Sequence, residues 1–346
     1  MSAASGAPGA AAPEVVTLTA NPSLDRTVDL AGPLRRGAVQ RATASVVEPG
    51  GKGVNVARVL AAAGRDVLAV LPADAGDPLL AALAEVGLAA RPTPAGGPVR
   101  TNTAVTEPDG TTTKVNEAGP LLTPGGHDAL RGAVLDAAKG ARWAVLSGSL
   151  PPGAPASLYA DLVAPLRAAG CAVGVDTSGA ALAALLGPGA DPACAPDVVK
   201  PNGEELGELT GQDGDALEAD PVAAARAARA LVDRGVGAVL VTLGARGAVL
   251  VTAEGAWSAL PPPVVPRSTV GAGDSALAGY VLATLRGEDA PARLREAVAH
   301  GSAAAALPGS ALPGPQQVRP DLVEVTSLVL DPSPASLTGP LAVRTP

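Results

Sequence analysis

Short apolar runs recur along this chain, and longer segments with apolar residues three or four apart separate most of them. The runs fall at 14–20 (EVVTLTA), 67–71, 143–146, 172–175, 197–199, 238–242 and 247–251. Helical spacing occupies 53–63, 78–86, 123–139, 156–169, 203–210 and 221–234. A run that is apolar at nearly every position suits a strand buried on both faces. The alternation therefore predicts an α/β fold, a doubly wound, mostly parallel sheet with helices on both faces. Ligands of such sheets collect at the carboxyl ends of the strands.

Two stretches break the alternation. Residues 24–47 and 99–115 are rich in Thr, Val and Arg, have period-2 character, and carry turn signals such as Asp109-Gly110. They predict a small β lid inserted into the α/β core, with edge hairpins of the same sheet as the alternative. One domain is expected over 14–326. It lies between an Ala/Gly/Ser-rich N-terminal tail at 1–13 and a flexible, Pro/Ser/Ala/Leu-rich tail at 327–346.

Composition narrows the class. With 346 residues, a sizeable core is no difficulty, but Phe is absent, so Ala, Val and Leu must build it. A net charge of −8 gives no electrostatic reason to bind nucleic acid or an anionic membrane. A phosphorylated ligand must then be held by a few local cations against the overall sign. Cys171 and Cys194 form no metal or redox spacing, and His127 and His300 are too few for a zinc site. Residues 1–13 lack the charged start and apolar run of a signal peptide, and every apolar stretch is interrupted before it could span a bilayer. The expectation is a soluble cytoplasmic protein.

The chemistry concentrates in a few motifs. Thr269-Val270-Gly271-Ala272-Gly273-Asp274-Ser275 runs directly into the apolar helical segment 276–282. Two glycines let the backbone turn tightly at a helix start, where free N–H groups and the helix dipole favour an anion. A carboxylate placed there is either a favourable first-turn acid or a base beside a phosphate-transfer pocket. Pro49-Gly50-Gly51-Lys52-Gly53 precedes a second helix carrying Asn55, a poor helix former. It is not a P-loop, because Val46 and Gly53 stand where Gly and Ser or Thr are required. Asn21-Pro22-Ser23-Leu24-Asp25, Ser147-Gly148-Ser149 and Lys200-Pro201-Asn202-Gly203-Glu204-Glu205 each follow a strand. The last could hold Mg²⁺ through water or simply start a helix with acids. Thr242-Leu243-Gly244-Ala245-Arg246-Gly247 joins two strands by a glycine turn.

Six of these segments, TLTANPSLD (17–25), GGKGVNVARVL (50–60), LSGSLPPG (146–153), KPNGEEL (200–206), TLGARG (242–247) and TVGAGDSALAGY (269–280), occur in one order. In that order the chain resembles the PfkB (ribokinase-like) carbohydrate kinase family, and within it the 1-phosphofructokinase group. The resemblance covers about 15–325. It implies an ATP- and Mg²⁺-dependent kinase that phosphorylates fructose 1-phosphate at O6. Asp274 matches the family's catalytic base, and the amides of Gly271, Ala272 and Gly273 match its anion hole. Asp25, Gly50, Gly51 and Asn55 match sugar-binding positions, with Ser147 beside them. Arg100, Lys52 and Arg41 are the implied clamp on the phosphate that the sugar already carries, with Lys114 nearby. Lys200, Asn202 and Glu205 match the region that orders ATP phosphates, Glu205 reaching Mg²⁺ through water. Thr242, Gly244 and Gly247 match the nucleotide turn, and the adenine is expected near 300–305, which includes Ser302. Family members often dimerise through the lid, which leaves a homodimer open.

Tagatose-6-phosphate kinase and 6-phosphofructokinase share most of these motifs and stay open as alternatives. A remoter one is an NAD(P)-dependent oxidoreductase, since Gly271 to Ala276 fits a relaxed G-x-G-x-x-A. The helix there closes in a turn at 285–289 instead of leading to a second strand, which argues against it. A sugar-phosphate sensor without catalysis would not need Asp274, Asn202 and Glu205 together.

Overall fold

The computed structural model describes residues 12–330; most of both expected tails lies outside the described residues. Among the described residues the strands are β1 (Val15–Thr19), β2 (Ser23–Leu30), β3 (Ala42–Gly50), β4 (Val67–Pro72), β5 (Ala90–Thr93), β6 (Arg100–Thr106) and β7 (Thr112–Asn116). They continue with β8 (Trp143–Ser147), β9 (Ala172–Asp176), β10 (Val198–Val199), β11 (Ala238–Thr242), β12 (Ala248–Thr252), β13 (Gly255–Leu260) and β14 (Glu324–Ser327). The helices are α1 (Lys52–Ala62), α2 (Pro78–Glu85), α3 (Pro124–Ala137), α4 (Ala160–Ala168) and α5 (Gly179–Leu186). The remainder are α6 (Gly203–Thr210), α7 (Gly214–Ala219), α8 (Pro221–Val232), α9 (Ala272–Leu285) and α10 (Ala290–Ala305).

The main sheet has the order β14-β13-β12-β11-β10-β9-β8-β1-β4-β5. From β5 to β11 every neighbouring pair is parallel, and the last three strands run antiparallel. Strand β1 is wholly buried because helices cover both faces of the sheet. One apolar layer holds Leu130, Leu162, Leu182 and Leu231 from α3, α4, α5 and α8. The other holds Leu60, Leu83, Leu277 and Leu294 from α1, α2, α9 and α10. Chain order runs outward from β1 in both directions, so the switch point lies between β1 and β8. That is where a doubly wound sheet opens a crevice.

The two Thr/Val/Arg-rich stretches do not lie on an edge of this sheet. They form a second, four-stranded sheet in the order β3-β2-β6-β7. Its central pair, β2 with β6, is parallel, and both outer pairs are antiparallel. Three strands escape the apolar-run reading. Strand β5 contains Pro92, tolerable because it is an edge strand. Strands β13 and β14 are short and half-exposed. Packing continues past 326, since the Leu328 amide donates to the Ala256 carbonyl and Leu330 touches the core.

Candidate active site

Parallel register lines up a polar row at the carboxyl ends of adjacent strands. Thr19 pairs with Ser147, and Ser147 pairs with Asp176. Lys200 follows β10 one step beyond Val199, which pairs with Val175. All four side chains are buried. The Thr19 and Ser147 hydroxyls have no hydrogen-bond partner, although buried polar groups nearly always find one. Asp176 is the centre of charge. Its Oδ1 accepts from Lys52 Nζ at 2.7 Å, and Lys200 Nζ lies 3.1 Å from Oδ2, an ion pair off the line of a hydrogen bond. Burial alone would raise the Asp176 carboxyl, but the Lys200 and Lys52 ammoniums outweigh it and hold Asp176 below its ordinary range. Lys52, in turn, resists its own desolvation and stays above its usual value because Asp176, Asp274 and Glu205 surround it.

Two helices point their starts at this row. Helices α2, α3, α6, α7, α8 and α10 begin with an Asp, Thr or Asn side chain capping a first-turn amide. Helices α1, α4, α5 and α9 have no side-chain cap, and of these α1 and α9 begin at a glycine of positive φ, Gly51 (φ 104°) and Gly271 (φ 73°). Both φ values lie where a side chain is strained, so glycine is needed, and the first-turn amides stay available to a ligand. Of the three expected anion-hole amides, that of Ala272 makes one long bond, to the Thr269 carbonyl at 3.4 Å. A Cβ on Gly273 would lie 3.1 Å from Lys200 Nζ, so that ammonium sits against the same turn.

Asp274 occupies the third position of α9 and is buried. Because α1 packs on α9, Asn55 Nδ2 reaches Asp274 Oδ2 and donates to it at 2.8 Å. Desolvation is the largest influence on this carboxyl, repulsion from Asp176 adds to it, and Lys52, Asn55 and Lys200 oppose both. The outcome is a group pushed up from 3.8 to about 6. A carboxylate poised there can accept a proton near neutral pH and release it again.

The second sheet supplies the other wall. Register places Glu48, Asp25, Asn102 and Asn116 in one row across its four strands. Asp25 Oδ1 accepts from Ser23 Oγ at 2.7 Å and from Asn102 Nδ2 at 3.0 Å. Gly50 approaches so closely that any Cβ there would overlap the Asp25 carboxylate. Arg100 is committed partly to the backbone. Its Nη2 donates to the Asn21 carbonyl at 3.0 Å and its Nη1 to that of Glu117 at 3.3 Å, with Nε buried and unpartnered. Lys52 is engaged by Asp176, and Arg41 and Lys114 are exposed.

On the far side, Asn202 and Glu205 bond each other's backbone. Asn202 Oδ1 accepts from the Glu205 amide at 2.7 Å, and Glu205 Oε2 accepts from the Asn202 amide at 2.9 Å. This capping box leaves Glu205 one free carboxylate oxygen. Desolvation raises its carboxyl, with Lys52 opposing. Asn202 bridges to Thr242, which brings the α6 start beside the Thr242–Gly247 turn. Gly247 packs so tightly on the Ala259 carbonyl that its glycine is explained by the fold alone. The Ser302 hydroxyl is spent within α10 on the Val298 carbonyl at 2.7 Å. Among the described residues no group of three or more His, Cys, Asp or Glu could hold a metal ion by itself, and no helix is long and apolar enough to cross a membrane.

The sequence reading overlooked Asp176. It closes strand β9 in Val175-Asp176-Thr177, at the same strand end as the other motifs, and that position is its signal in the sequence.

Glycine-led helix starts, a buried carboxylate raised toward neutrality and two lysines are groups of the kind that phosphoryl transfer to an alcohol requires. Residues 18–316 match the family model described as pfkB family carbohydrate kinase, and the chain belongs to that family. A 1-phosphofructokinase of Rhodobacter capsulatus is 38% identical over 92% of this chain and 98% of its own. An ATP-dependent 6-phosphofructokinase isozyme 2 of Escherichia coli is 35% identical over 86% and 94%. The solved structure of phosphofructokinase-2 from Escherichia coli in complex with substrates and products matches with a TM-score of 0.80 at 34% identity. That match covers 88% of this chain and 96% of the other. ATP is accordingly the co-substrate.

Proposed function

We propose that this chain transfers the γ-phosphate of ATP to O6 of fructose 1-phosphate, giving fructose 1,6-bisphosphate. The observation that carries the reading is Asp274, buried at the open start of α9 and oriented by Asn55. In this reading Asp274 takes the hydroxyl proton as O6 attacks. The first-turn amides of α9 and the ammoniums of Lys200 and Lys52 balance charge on the transferring group. Phosphoryl transfer has a loose transition state, so positioning and charge stabilisation dominate and the base is needed late. Asp25, with Gly50, Gly51, Asn55 and Ser147, faces the sugar, and Arg100 binds its existing phosphate. Thr242, Gly244 and the 300–305 segment flank the nucleotide. Glu205, whose capping box leaves one carboxylate oxygen unbonded, would hold Mg²⁺ through water beside the ATP phosphates. Bound there, it would supply positive charge to the nucleotide phosphates. The second sheet acts as a lid and is the surface for a homodimer; the setting is cytoplasmic.

The R. capsulatus relative, named 1-phosphofructokinase, supports the acceptor. The E. coli relative and structure named for 6-phosphofructokinase support the second reading, fructose 6-phosphate. A coupled ADP-release assay across fructose 1-phosphate, fructose 6-phosphate, tagatose 6-phosphate and free fructose tests this. The expected kcat/KM is at least about tenfold higher for fructose 1-phosphate than for any other, the scale of one well-placed charged contact. A preference for another hexose phosphate would reassign the acceptor.

The raised Asp274 carboxyl sets a pH dependence. A base must be ionised, so kcat/KM should rise with pH through about 6 and level off above it. A profile flat from pH 5 to 8 would contradict this role.

A further inference from the structure

Beyond the crevice, one connection joins its two walls. The segment after α10 touches both. Leu312 packs its side chain against Gly271, where a Cβ would lie 2.9 Å from Leu312 Cδ2. Two residues earlier, Ser310 Oγ donates to Glu48 Oε2 of β3 at 2.7 Å. Gly309 packs near the Thr27 hydroxyl of β2, 3.5 Å from where its Cβ would be. The other Glu48 oxygen accepts from Arg58 Nη2 of α1 at 3.1 Å, and Arg58 Nη1 donates to the Pro49 carbonyl at 3.2 Å. Glu48 is thus held from the main domain on both carboxylate oxygens. It also stands directly opposite Asp25 in the lid sheet, two residues before Gly50.

We infer that Ser310, Glu48 and Arg58 form a latch that positions the Asp25 row of the lid sheet against the start of α9. They are positioning residues and touch neither reactant. The inference rests on the proposed kinase reading for its substrate readout alone. A carboxylate bonded on one oxygen by a hydroxyl and on the other by a guanidinium has a fixed orientation, so β3 is set at the angle that α1 and the 309–312 segment dictate. Leu312 connects that segment to Gly271, so a ligand ordering the α9 start also orders the latch. Binding at one wall is thereby coupled to the shape of the other.

The test uses the full chain with Ser310→Ala and Glu48→Gln, neither of which removes a proposed ligand contact. Each should raise KM for the hexose phosphate about tenfold, with the Kd of MgADP in the absence of sugar changed less than about twofold. Because the two act through one contact, the double variant should be no worse than Glu48→Gln alone. Hydrogen exchange gives a readout independent of the acceptor. MgADP should slow exchange across 42–50 in the parent chain and leave it unchanged in Ser310→Ala. Parent-like KM and exchange in both variants would overturn the latch, as would a parallel loss of sugar and nucleotide binding, which indicates general loosening. If the parent chain phosphorylates no hexose phosphate, the kinase reading fails on that chain, and exchange across 42–50 still decides the latch.

Discussion

Asp274→Asn should lower turnover by two to four orders of magnitude while leaving sugar-phosphate and nucleotide binding within a few fold. Asn is close to isosteric and can keep a bond to Asn55, so the pocket's shape survives and proton acceptance alone is removed. General-base loss costs about 10²- to 10⁴-fold, and an effect confined to kcat marks an interaction made only in the transition state. The same variant should be more stable than the parent at pH 8. The native carboxyl is raised from 3.8 to about 6, so the folded state holds its proton more tightly than the unfolded chain does. Stability intact below the ordinary carboxylate value is lost as pH climbs through about 6, and ionised Asp274 then opposes folding by on the order of 2–3 kcal/mol. Asn never ionises and escapes that cost. Thermal melts at pH 8 and pH 4 check the sign: the stabilisation should be present at pH 8 and nearly gone at pH 4. Parent-like turnover would remove Asp274 from the chemistry.

Asp176→Asn is the second large effect, of a different kind. Asp176 is fully buried between two ammoniums, and removing its charge takes from Lys52 and Lys200 the counter-ion they share, leaving Asp274 and Glu205 as the remaining acids nearby. Breaking a buried ion pair from one side costs about 3–5 kcal/mol. For a domain of this size that corresponds to a melting temperature lower by on the order of 5–10 °C. Turnover should fall about 100-fold, because the two cations no longer hold the positions proposed to balance charge on the moving phosphoryl group. The pH profile separates this role from mere destabilisation. Asp176 repels Asp274 and so helps keep it protonated. Without that charge, and with Lys52 and Lys200 released toward it, the inflection near pH 6 should shift to lower pH. An unmoved inflection with normal kcat would show that the lysines are positioned by something else.

The difference between these two aspartates explains what the amino-acid sequence could reveal. Asp274 stands between a glycine turn and a long apolar helix, a combination that local chemistry marks by itself. Asn55 was noticeable because it is a poor helix former, and its pairing with an acid 219 residues away gives the reason. Asp176 carries no such local mark. Its importance depends on Lys52 and Lys200 arriving at the same strand end from α1 and β10, which only the parallel register decides. The lid shows the same division. Its period-2 character and turns were plain in the residues, whereas the parallel pairing of β2 with β6 and the separation from the main sheet depend on long-range closure. Asn202 and Glu205 form a motif whose local meaning is complete in itself, since N-x-x-E caps α6 and leaves one Glu205 carboxylate oxygen unbonded.

The expectations for turnover depend on where a sugar hydroxyl sits when both substrates are bound. A crystal structure of the chain with fructose 1-phosphate, Mg²⁺ and a non-hydrolysable ATP analogue measures that directly. The account predicts O6 within about 2.6–3.2 Å of an Asp274 carboxylate oxygen, with the γ-phosphate over the first turn of α9 and in line with O6. A sugar whose nearest hydroxyl approaches a different base, with Asp274 still bonded only to Asn55, would contradict it.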